Sequence, residues 1–268
     1  MIKVPFLVTA TEIIALAAAA AAAGMVNSIA GGGTLITFPV LLLFKTPEKV
    51  ANATSTLALV LGMAGSLFGY RNHLAAVRHW LWRFVPVSLV GGLVGSMLLT
   101  RTQDEVFAKM VPFLILFATL IFLAQGTLRK LSGFPNDQAP PALKTHRHAL
   151  GIAFLVQIGV AVYGGYFGAG IGILMLASLG FIGLTDIHQM NSLKTILASL
   201  INVVASAWFV ASGLIHWPKA LVMTAGALGG YYLGAHFAQR IPQHQVRRLI
   251  NAVGLTISAV MFYKQFAK

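Results

Sequence analysis

The chain lacks cysteine altogether, and in 268 residues it carries only six acidic side chains. The first absence excludes disulfides, thiolate nucleophiles and cysteine-ligated metals. The second excludes a water-covered surface: charged residues are 9% of the chain, against roughly 25% in a soluble domain. So few carboxylates also leave little for a paired-carboxylate active site or an oxygen-rich cation cage. Neither H-E-x-x-H nor G-x-x-x-x-G-K-[ST] occurs, so no zinc-hydrolase or ATP-binding signature is present. No catalytic residue, metal or cofactor is expected, and the chain does not read as an enzyme.

What is present is apolar. Hydrophobic residues make up 57% of the chain and the mean hydropathy is +0.82. They fall in long continuous runs rather than alternating, which predicts an all-α polytopic membrane protein and not a barrel. The formal charge of +13 sits in short clusters between these runs: Arg71/Arg78/Arg83, Arg129/Lys130, Lys144/Arg147 and Arg240/Arg247/Arg248. That is the pattern of loops kept on the cytoplasmic side, so the bilayer is the expected partner and nucleic acid is not. Lys3 and the run Ala17–Ala23 imitate a signal peptide. However, Glu12 interrupts the apolar region, and the segment has a counterpart in mid-chain.

Ten apolar segments are expected, at about 5–30, 34–44, 48–69, 81–100, 106–125, 149–167, 171–182, 187–212, 220–238 and 246–264. As helices, 34–44 and 171–182 reach only about 16 and 18 Å at ~1.5 Å per residue. A hydrocarbon core is ~30 Å thick. Each short segment follows a glycine break, so each reads as a half-helix.

The two breaks correspond. Shifting the chain by 139 positions sets Gly31 on Gly170, Gly33 on Gly172, Leu35 on Leu174, Asn52 on Asn191 and Thr56 on Thr195. The same shift sets Gly91, Gly95 and Arg101 on Gly230, Gly234 and Arg240. The organisation expected is a first transmembrane repeat, 1–125, a proline-containing polar linker, 126–148, and a second repeat, 149–268. If the short segment counts as a crossing, the halves are inverted, as in many secondary transporters; if it is re-entrant, they are parallel. The basic loops do not decide between the two, and the inverted arrangement is the one expected here.

Residues able to carry chemistry gather at the breaks. A half-helix starting near Thr34 or Ile171 points backbone N–H groups and a positive dipole end at the break, which favours anions. Small residues also serve close helix packing, and that is the reading for the pairs Gly91/Gly95 and Gly230/Gly234. The triple glycine after Asn27, with the glycine-rich Gly168–Gly172 as its counterpart in the second half, reads as a site. Asn52, Ser55 and Thr56, with Asn191 and Thr195, could donate to a ligand, cap helices or bond helix to helix. Lys194 stands where the first half has Ser55; it either faces a substrate or snorkels to the interface. Glu12 and Asp186 could take a coupling proton or sit at the interface, and His236 could relay protons or simply pack. Trp80, Trp82, Trp208 and Trp217 read as interface anchors. The expected substrate-binding set is Asn27, Gly31, Gly32, Gly33, Thr34, Asn52, Ser55, Thr56, Gly168, Gly170, Gly172, Asn191, Lys194 and Thr195.

The run Asn27-x-x-Ala30-Gly31-Gly32-Gly33, then Pro39-x-Leu41 and Val50-Ala51-x-x-Thr54-Ser55, resembles the TauE/SafE family of sulfite exporters and organosulfonate permeases. Gly164-Gly165-Tyr166-Phe167-Gly168-Ala169-Gly170-x-Gly172 is similar to that family's other signature. Thr34 stands where many members carry glycine or serine. The resemblance covers nearly the whole chain. It implies a secondary transporter of the bacterial inner membrane moving sulfite, a sulfonate or a related small anion, as exporter or uptake permease. A coupling proton or sodium ion and a second copy of the chain are the other candidate partners. A membrane enzyme and a non-transporting assembly or sensor protein are the rival readings.

Overall fold

The computed structural model describes residues 8–29, 32–67, 74–131, 147–180, 187–237 and 243–266. Gly31, Asp186, the linker residues 132–146 and the basic residues Arg71 and Arg240 lie outside the described residues, as does the side chain of Asn191.

Among the described residues the protein is entirely helical. The helices are α1 (Ala10–Ile29), α2 (Thr34–Leu43), α3 (Glu48–Leu67), α4 (Leu74–Arg101), α5 (Asp104–Leu131), α6 (Arg147–Tyr166), α7 (Ile171–Gly180), α8 (Ile187–Ala211), α9 (Trp217–Phe237) and α10 (Gln243–Phe266). Ten segments were expected and ten helices form among the described residues, with α4 starting seven residues earlier than hydropathy suggests. Arg78 and His79 lie in that added stretch; polar side chains lower hydropathy without breaking a helix.

Within α1, α4, α5 and α8 lie stretches long and apolar enough to cross a membrane. Large apolar side chains such as Ile14, Val90, Phe113, Leu155 and Leu221 point outward and are exposed. An outer surface of this kind suits lipid, and the protein is an integral membrane protein.

The short helices α2 and α7 sit inside the bundle. Leu35, Phe38 and Leu41 of α2 are buried in one apolar cluster, with residues of α1, α3, α5 and α9. Ile171, Met175 and Leu179 of α7 are buried in a second, with residues of α4, α6 and α8. Broken backbone at membrane depth survives only where protein or a polar cavity surrounds it, and here protein does.

The packing scheme repeats. α1 lies along α9 and α6 along α4; α3 lies against α9 and α8 against α4; α2 meets α10 and α7 meets α5. Exchanging α1–α5 for α6–α10 turns each of these pairings into another of them. Glycine sets the closest seams. A Cβ on Gly226 or Gly230 would run into the carbonyl of Ala17 or Ala21 on α1, and one on Gly95 into that of Val162 on α6. Gly91, Gly95, Gly230 and Gly234 are therefore packing positions, as their spacing suggests.

Polar groups lock one end of the bundle. Thr9 and Glu12 form a reciprocal helix cap: the Thr9 amide donates to Glu12 Oε2 at 2.9 Å and the Glu12 amide to Thr9 Oγ1 at 3.3 Å. Glu12 also pairs with Lys219 of α9 at 3.3 Å. Lys219 Nζ further donates to the Phe44 carbonyl at 3.2 Å and to Thr46 Oγ1 at 3.1 Å. Nearby, Lys49 pairs with Asp104 at 2.9 Å. Trp208 donates to Thr100 Oγ1 at 3.2 Å, joining the ends of α8 and α4. Trp82 and Trp217, by contrast, are exposed. Glu12 is thus a capping and ion-pairing residue, and His236 stacks on Tyr232 with ring centres 6.0 Å apart.

Candidate functional site

Both breaks are built by glycines at which a side chain would be strained or crowded. Gly32 has φ +94°, and a Cβ there would collide with the Phe122 ring of α5. Gly33 starts α2 in ordinary helical geometry, but its Cβ would come within 2.6 Å of the Ala23 carbonyl. Gly168 and Gly170 both have φ +80°, a conformation that costs other residues ~1–2 kcal/mol.

The broken backbone is satisfied differently at each break. At the first, the Gly33 amide donates to Asn27 Oδ1 at 2.7 Å, and Asn27 Nδ2 donates to the hydroxyl of Tyr231 on α9 at 2.9 Å. At the second, the Gly168 amide reaches back to the Tyr163 carbonyl at 3.1 Å. The Tyr163 hydroxyl then donates to the Ala169 carbonyl at 2.8 Å.

The two breaks open on one cavity of about 120 Å³ between α3 and α8. Asn27, Gly32 and Thr34 line it from the first break; Gly168, Gly170 and Gly172 line it from the second. Thr56 of α3 faces it, as do Lys194 and Thr195 of α8. Lys194 is half-buried rather than extended to the interface, and its Cδ lies 3.5 Å from where a Gly172 Cβ would stand. The lysine stem thus lies over the start of α7, so a cation and a helix N-terminus serve the same space.

Three residues of the expected set do not line this cavity. Gly33 is enclosed by Ala23 and Asn27, and its amide is spent on Asn27. Asn52 is buried, and its Nδ2 donates to the Tyr166 carbonyl at 3.0 Å. It supplies from a neighbouring helix the partner that the last turn of α6 cannot find within itself. Ser55 is fully buried, with its hydroxyl 2.6 Å from that of Thr37 on α2. Of the alternatives open for these residues, Asn52 and Ser55 join helix to helix. Gly31 and the Asn191 side chain lie outside the described residues.

The cavity has walls the expected set omits. Leu59, Val60 and Met63 extend the α3 side, and Ala198 and Asn202 the α8 side. These follow Thr56 and Thr195 at helical spacing, and the shift of 139 pairs Leu59 with Ala198 and Met63 with Asn202. Extending the repeat two further turns along each helix would have found them. Tyr231 was hidden beside Gly230 in a helix whose glycines mark packing.

Comparison with known proteins bears on this geometry. The family model "Sulfite exporter TauE/SafE" matches residues 16–261. The chain belongs to that family. Among the relatives is a "Probable membrane transporter protein" of Haemophilus influenzae, 29% identical over 245 residues, covering 91% of each chain. The "Probable membrane transporter protein YfcA" of Escherichia coli K12 is 26% identical over 247 residues, covering 90% of this chain and 85% of the relative. The "Probable membrane transporter protein YunE" of Bacillus subtilis is 24% identical over 260 residues, covering 90% and 94%. No solved structure matches the chain. A TauE/SafE chain is a membrane transporter, in keeping with relatives named for transport and not for a catalysed reaction.

Proposed function

We propose that the protein is a secondary transporter for a small oxyanion, sulfite or an organosulfonate, in the bacterial inner membrane. The observation that carries this reading is the convergence of both glycine breaks and Lys194 on one cavity. Two helix N-termini and an ammonium group favour a negative ligand. The walls Leu59, Val60 and Ala198 leave an apolar side that a short sulfonate tail would fill.

The interchangeable packing of α1–α5 and α6–α10 supports reading the halves as a repeat, which we take to be inverted. Alternating access would then come from one half rocking on the other about the α3–α8 contact, with the substrate at its centre. A proton or sodium gradient, or the substrate's own gradient, would drive it. The test is flux: purified protein in liposomes should exchange labelled sulfite or ethanesulfonate saturably, with each competing against the other. Absence of saturable flux for every small anion tried would favour an assembly or sensor role, and chemical conversion of the anion would favour an enzyme.

A further inference from the structure

Resting on the reading of this cavity as an anion site, we infer that Tyr231 is a substrate-binding hydrogen-bond donor, aimed by Asn27. A backbone N–H can only donate, so the 2.7 Å contact from the Gly33 amide fixes Asn27 with Oδ1 towards Gly33. The nitrogen Nδ2 must then be the atom facing Tyr231, and a primary amide nitrogen can only donate. The Tyr231 oxygen, 2.9 Å away, is therefore the acceptor in that bond. Its own proton points elsewhere, and among the described residues no acceptor takes it. Tyr231 is buried and borders the cavity. The proton is left for whatever fills that space.

Two consequences follow. The cavity has a further side-chain donor besides Lys194, carried on α9 rather than α8, so it suits an anion with at least two acceptor oxygens. Occupancy also reaches the backbone: an anion accepting from Tyr231 polarises its oxygen, then Asn27, then the first amide of α2, in one hydrogen-bonded chain. Asn27 acts through Tyr231 and Gly33 and is a positioning residue.

The test separates donor from acceptor. Tyr231→Phe removes both roles, and affinity for ethanesulfonate and inorganic sulfite should fall roughly tenfold or more. Because that variant also strips Asn27 of a partner, a fluorotyrosine at position 231 serves as the decisive variant. Ring fluorine makes the O–H a stronger donor and the oxygen a weaker acceptor. Tighter anion binding than wild type is expected. Binding that is unchanged or weaker, while wild type binds both probes, would overturn the role of Tyr231 and leave the site intact. Failure of wild type to bind either probe would remove the anion site itself and this inference with it.

Discussion

At the α1–α2 break the Gly33 amide goes to a side chain, Asn27, whereas at the α6–α7 break the Gly168 amide goes to a main-chain carbonyl, that of Tyr163. The shift of 139 places Tyr166 opposite Asn27, and Tyr166 takes no part comparable to Asn27's. Its carbonyl is satisfied from α3 by Asn52, and its hydroxyl lies 3.3 Å from Thr102 Oγ1. Among the described residues the only cation lining the cavity, Lys194, comes from the second half, where the first half has Ser55. One frame has been kept in both halves and its chemistry divided. The first half supplies a side-chain relay to Tyr231; the second supplies charge beside a helix N-terminus. On the proposed reading, a substrate between the two halves would meet different groups on its two sides.

That contrast can be broken by substitution. The largest effect is expected for Gly32→Ala, which combines the left-handed penalty with a clash on the Phe122 ring. The sum is roughly 2–5 kcal/mol. At Gly170 the nearest atom to an added Cβ is 3.6 Å away, so Gly170→Ala should cost only about 1–2 kcal/mol. Equal losses in thermal unfolding of the detergent-solubilised protein would erase the difference between the breaks.

Next in size is Lys194→Met. Losing a charge-assisted bond to the ligand is worth ~1.5–3 kcal/mol, so anion affinity should fall roughly tenfold to a hundredfold by equilibrium binding. The counterpart substitution Ser55→Ala should leave affinity within about twofold. A symmetric response at the two positions would mean that the charge is not divided as described.

Smaller effects fall on stability alone. Asn52→Ala leaves the Tyr166 carbonyl without its partner and should cost about 1–3 kcal/mol. Ser55→Ala loses one interhelical bond, worth ~0.6 kcal/mol. In both, anion affinity measured on the folded protein should be unchanged. A shift in affinity as large as that of Lys194→Met would return Asn52 or Ser55 to the site.

Much of this was legible because it depends on rare residues in an apolar chain. Three successive glycines and a lysine in hydrophobic surroundings have few explanations in a membrane. Spacing alone carried the half-helices and the packing role of Gly91, Gly95, Gly230 and Gly234. What could not be read was which polar groups are consumed by the fold. Asn52 and Thr56 lie one turn apart on α3, yet one bonds to the Tyr166 carbonyl and the other borders the cavity. Tyr231 is 204 positions from Asn27 in the chain, and only the α1–α9 seam brings them together. The Thr9–Glu12 cap was not read from the sequence, and the ion pair of Glu12 with Lys219 needed the fold.

The absence of native cysteine allows one direct measurement of the central claim. A Thr195→Cys variant places a lone thiol in the cavity wall, and a Ser212→Cys variant places one in the exposed turn after α8. Alkylation of the first by iodoacetamide should slow saturably as ethanesulfonate or thiosulfate is added, while the second is unaffected. If no small sulfur oxyanion or sulfonate slows the reaction at position 195, or if both thiols respond alike, the cavity between the two breaks is not where an anion binds.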